Sequence, residues 1–65
     1  MEKYFVHDTE VAETEAAGTW FSYAANNDLE ISKAIDIWED AATPEGEGSR
    51  ATISKAGIRI EFLRN

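Results

Sequence analysis

The sequence predicts an α+β fold: a small antiparallel sheet in β-β-α-β-β order, with one amphipathic helix packed on one face. Three observations carry this. Ile31, Ala34, Ile35, Trp38, Ala41 and Ala42 recur at i, i+3, i+4 and i+7, the period of a helix. Ile58, Ile60 and Phe62 alternate with Arg59 and Glu61, the period of a half-buried strand. Glu15-Ala16-Ala17-Gly18 and Ser54-Lys55-Ala56-Gly57 both run from small residues into a glycine, as a hairpin turn does.

Taken in order, Lys3 to Val11 reads as a strand, with Tyr4-Phe5-Val6 aromatic and β-branched and with Phe5, His7, Thr9 and Val11 sharing one face. Residues 13–18 fit either a short helix, capped by Asp8 or Thr9 and stopped at Gly18, or a type I turn. The hairpin is preferred, because Thr19 to Ala24 is strand-like by residue type, with Trp20 on one face and Phe21 and Tyr23 on the other. Asn26-Asn27-Asp28 breaks that strand. The helix then starts either from an Asn27/Glu30 capping box or from Ser32 as N-cap, the second option leaving Leu29 outside. Thr43-Pro44 ends the helix, and residues 45–49 read as a flexible acidic loop. Arg50 to Ile53 and Ile58 to Leu63 complete a second hairpin, with Ile58, Ile60 and Phe62 inward. Trp38, mid-stripe, is expected to anchor the core together with Ile31, Ala34 and Ile35.

Composition narrows the function. The 65 residues are expected to form a single domain over positions 1–65, with one core and little stability to spare. Cysteine is absent, which fits a reducing compartment and rules out thiolate metal sites and disulfides. No apolar run approaches the roughly 18 residues of a membrane span, and the N-terminus has no signal-peptide core, so a cytoplasmic location is expected. The net charge of −7 is uneven: residues 1–47 hold twelve acids against Lys3 and Lys33, whereas residues 48–65 hold Arg50, Lys55, Arg59 and Arg64 against Glu61. Phosphate repels such a surface, so direct binding to nucleic acid or to an anionic membrane is disfavoured and a basic partner is favoured.

Enzyme chemistry finds little purchase. His7 is the single histidine, and nothing at fixed spacing orients it as a base or metal ligand. No serine sits in a nucleophile elbow. Gly46-Glu47-Gly48-Ser49 lacks the lysine of a phosphate loop and is flanked by carboxylates. The acids from Asp28 to Asp40 lack the spacing of a calcium loop, and carboxylates along one helix face diverge rather than enclose an ion. The expectation is therefore no catalysis, no cofactor and no metal.

What remains is the acidic surface. Asp36, Glu39 and Asp40 form a ridge along the helix, with Asp28 and Glu30 before it and Glu45 and Glu47 after it. Self-repulsion among acids with few lysines costs stability in a small fold, so their retention points to use against a basic surface. In size, charge, lack of cysteine and α+β pattern the chain resembles the small acidic phage-encoded anti-CRISPR proteins that mimic DNA. The resemblance covers the whole chain and includes no motif. It implies a non-enzymatic inhibitor, acting in the host bacterial cytoplasm, that blocks target-DNA binding by a CRISPR effector complex. The partner-binding residues would be Asp28, Glu30, Asp36, Glu39, Asp40, Glu45 and Glu47, with the basic C-terminal hairpin turned away. The alternative is an antitoxin-like or regulatory module that grips its partner through exposed aromatics such as Trp20 or Tyr23.

Overall fold

A computed structural model describes residues 1–63. The fold is mixed α+β, but its order is β-β-α-α-α-β: β1 (Glu2–Val6), β2 (Thr9–Val11), α1 (Glu13–Asn26), α2 (Ile31–Ala41), α3 (Glu47–Ile53), a 3-10 turn (Ser54–Ala56) and β3 (Ile58–Phe62). The three strands form one antiparallel sheet in the order β2-β1-β3. Neither the expected β-β-α-β-β order nor the single helix holds.

The first strand is shorter than expected because it turns at His7-Asp8. Both residues take positive φ, 49° and 67°, which is the backbone of a two-residue hairpin whose twist matches its strands. The His7 N–H donates to the Gly57 carbonyl at 2.9 Å, tying this turn to the start of β3. Gly57 itself sits at φ 83°, and a Cβ there would run into the His7 imidazole, 2.6 Å from Nδ1. The turn also corrects the expected face. Tyr4 pairs with Val11 and Val6 with Thr9, so Thr9 and Val11 lie with Tyr4 and not with Phe5. On β3, Ile58, Ile60 and Phe62 lie opposite Val6, Tyr4 and Glu2, so the inward alternation holds but the partner strand is β1. On the outer face Phe5 lies beneath the Arg59 guanidinium, 4.2 Å from its ring centroid.

The helix α1 replaces both the expected turn at 15–18 and the expected strand at 19–24. Its buried residues are Ala16, Trp20 and Ala24, with Ala17 and Phe21 half-buried on the neighbouring row. That is helical spacing, and burial along it outweighs the β preference of the aromatics. Gly18 does not stop the helix; it sits mid-helix on the exposed side with open space around it. Trp20 is completely buried, and its indole N–H donates to the Ala34 carbonyl of α2 at 2.9 Å. Asn27 ends α1 and donates to the Tyr23 carbonyl at 2.8 Å rather than capping α2. Helix α2 follows Glu30 with no side-chain cap, and Leu29 lies outside it against the core.

The stripe that α2 buries is Ala34, Trp38 and Ala41, flanked by half-buried Ile37. Trp38 stacks on Tyr4, with ring centroids 5.9 Å apart. Ile31 and Ile35, expected in the core, are 67% and 40% exposed. The helix is rotated toward Ile37, so the residues at 31 and 35 fall on its flank.

Residues 47–53, expected as acidic loop and strand, form α3. Its Ile53 is completely buried, and its Arg50 guanidinium donates to the carbonyls of Ala41 (3.2 Å), Thr43 and Pro44 (3.0 Å). The same guanidinium lies 4.9 Å from the Phe62 ring centroid, so one side chain joins the end of α2, α3 and β3. Gly46 makes this corner possible. A Cβ there would overlap the Asp40 carbonyl oxygen and lie 2.6 Å from its carbon, against backbone that has nowhere to move. Gly46→Ala is therefore expected to destabilise the fold by about 1–3 kcal/mol or more, read as a lower midpoint in urea.

Candidate functional site

The seven acids assigned from sequence are all exposed and follow α2 from end to end. Asp28 (φ 58°) lies in the α1–α2 connection and Glu30 occupies the N-cap position of α2. Asp36, Glu39 and Asp40 lie on the outer side of α2, away from Ala34, Trp38 and Ala41. Glu45 lies in the turn after Pro44, and Glu47 opens α3. Helix geometry puts residues three and four apart at about 5–6 Å, so Asp36, Glu39 and Asp40 are mutual neighbours.

Among the described residues, the ion pairs involve Glu2, Asp8 and Glu61 and none of these seven. Among the described residues, Asp40 is the one acid of the seven with a side-chain partner, accepting from the Ser49 hydroxyl at 2.7 Å. Asp40 is thus partly structural, whereas Asp36 and Glu39 are committed to solvent.

Placement along the helix matters. Glu13 and Glu15 on α1, and Glu47 on α3, sit in first turns, where the helix dipole favours carboxylates. In α2 the acids Glu39 and Asp40 sit in the last turn, which holds no basic residue, so they oppose the dipole. Arg50 brings the cation that this end lacks, but spends its hydrogen bonds on carbonyls. The ridge is held at an electrostatic cost to α2.

Other chemistry has no gathered site. His7 lies in the exposed β1–β2 turn rather than on a strand. Among the described residues no cavity opens, and no group of three potential metal ligands converges. No helix among them is long and apolar enough to cross a membrane. Trp20, named for an aromatic interface, is wholly buried, and Tyr23 is half-buried against it with ring centroids 5.8 Å apart.

Tyr4 is a perturbed titrating group. Burial pushes its phenol up to about 12, and the carboxylates of Glu13 and Glu2, at 3.3 and 3.4 Å from the hydroxyl, add to the shift. The unfolded phenol ionises near 10.0, so below that pH both states are protonated and the shift has no effect. Between about pH 10 and 12 only the unfolded state loses its proton, and stability falls with rising pH. The expected loss above pH 12 is roughly 2–3 kcal/mol. Urea titrations across this range should show the fall in the native protein and a shallower one in Tyr4→Phe.

The signal that sequence reasoning missed is the exposed pair Ile31 and Ile35. With Glu39 they form a single i, i+4 row, which lies beside the row Ser32, Asp36, Asp40. No protein family, curated protein or solved structure matches the chain.

Proposed function

We propose that the protein is a non-enzymatic inhibitor that occupies the nucleic-acid-binding surface of a partner through the outer face of α2, as DNA-mimicking anti-CRISPR proteins do. The observation that supports this reading is the set of seven exposed carboxylates without an ion-pair partner among the described residues. At 11 residues α2 is about 16 Å long, and duplex DNA of that length carries roughly nine or ten phosphate charges. The helix itself carries three of the carboxylates, Asp36, Glu39 and Asp40, against Lys33, and the other four, at and beyond its ends, lengthen the array, so its charge is sparser than that of DNA. A groove of Lys and Arg set to meet phosphates would accept them. The basic residue Arg59 belongs to the outer face of the sheet, not to α2.

The test is competition: binding of labelled target DNA to CRISPR effector complexes, measured with increasing protein at low and high salt. Inhibition that weakens as salt rises supports the reading, since screened charges carry it. Inhibition indifferent to salt, or none across the effectors tried, counts against it. The competing antitoxin-like reading loses Trp20 as a contact, and its other named aromatic, Tyr23, is half-buried.

A further inference from the structure

Among the described residues the exposed large apolar side chains are Met1, Ile31, Ile35 and Leu63. Met1 and Leu63 adjoin the ends of β1 and β3, where the Leu63 N–H donates to the Met1 carbonyl at 3.0 Å. Ile31 and Ile35 are different. They lie one turn apart on a well-formed helix, on the row that continues into Glu39. The outer side of α2 is therefore not uniformly acidic. Its N-terminal half presents two isoleucines and Ser32, with the exposed Lys33 turned to the side away from the isoleucines, and its C-terminal half presents Asp36, Glu39 and Asp40.

Charge selects among occupants for this face. A second copy placed α2 against α2 would bring two acidic ridges and two net charges of −7 together. An anionic membrane would accept the isoleucines and repel the ridge. A bare phosphate-binding groove would meet the ridge and leave the isoleucines unused. A surface with apolar side chains beside Lys or Arg matches both halves at once.

We propose that α2 docks a cationic amphipathic protein segment, with Ile31 and Ile35 seated on its apolar side chains while Asp36 and Glu39 meet its lysines or arginines. This deepens the inhibitor reading above, on which it rests: it names the chemistry of the partner at the same face. Affinity then has two separable parts. The acids give a component that salt removes, and the isoleucines give one that salt leaves in place.

The experiment uses two labelled peptides as probes: a short leucine–lysine peptide with its leucines on one helical face, and its counterpart with serine in place of every leucine. The leucine–lysine peptide is expected to bind the native protein at least about tenfold more tightly than its counterpart, and to retain binding near 0.5 M salt. NMR shift changes should centre on α2. Ile31→Ser with Ile35→Ser should bring the leucine–lysine peptide down to the level of its counterpart and leave the counterpart's affinity unchanged. Should the half-covered Ile35 prove necessary for folding, Ile31→Ser alone, at the exposed first residue of α2, is expected to remove part of the difference. Equal affinity of the two peptides, or isoleucine variants that bind like the parent, overturns the proposal. A different failure marks the underlying reading. If Asp36→Lys with Glu39→Lys leaves the serine–lysine peptide bound, the ridge is not a binding surface and both fall.

Discussion

Trp20→Ala is expected to remove a large share of the protein's stability. Removing a fully buried tryptophan costs about 3–5 kcal/mol, and a 65-residue chain has roughly 3–10 kcal/mol in all. The side chain fills the junction of α1 and α2 and donates its indole N–H to the Ala34 carbonyl, so packing and a buried hydrogen bond are lost together. Trp20→Phe separates the two. It keeps much of the volume and loses the donor, and should cost about 1–2 kcal/mol. Urea unfolding followed by circular dichroism and by the remaining tryptophan, Trp38, reads both variants. Native-like stability in Trp20→Ala would mean that α1 does not pack on α2 through this residue.

The second large effect concerns binding. On the inhibitor function proposed above, Asp36→Lys with Glu39→Lys is expected to reduce inhibition at least about a hundredfold, because each reversal would replace an attraction with a like-charge contact against Lys or Arg. The fold should survive and even gain a few tenths of a kcal/mol, since Glu39 in the last turn opposes the helix dipole and lysine there supports it. Asp40 is left out of this variant because its carboxylate accepts from Ser49. The matched control is Glu10→Lys with Glu15→Lys, which changes net charge equally at exposed positions away from α2. Competition by the ridge variant equal to that of the parent, with circular dichroism showing it folded, would leave the ridge a solvated face. Gaining stability while losing inhibition is the outcome that ties the electrostatic cost in α2 to function.

Several features were legible in the residues alone. The helix around Trp38, the exposure of Asp36, Glu39 and Asp40 opposite it, and the inward set Ile58, Ile60 and Phe62 follow from short-range periodicity, which reports local structure directly. Other features depended on what lies across the core. Thr19 to Ala24 has the residue types of a strand, yet Ala16, Trp20 and Ala24 also fit a helix, and the contact of Trp20 with α2 settled the choice. Arg50 to Ile53 is too short for either period to show, and Arg50 finds its partners in the carbonyls that end α2.

Spacing within single segments makes α2 amphipathic, turns its acids to water and makes β3 alternate. Contacts between distant segments set the pairing of β3 with β1 and leave Ile31 and Ile35 outside the core. The apolar stripe of α2 is wider than the surface offered to it. Which edge of that stripe is buried depends on where α1, α3 and Tyr4 press against it, and Trp38 against Tyr4 turns Ile37 inward and leaves Ile31 and Ile35 to solvent. Strand pairing is likewise non-local: β1 and β3 meet across more than fifty residues of intervening chain, a distance no periodic pattern spans.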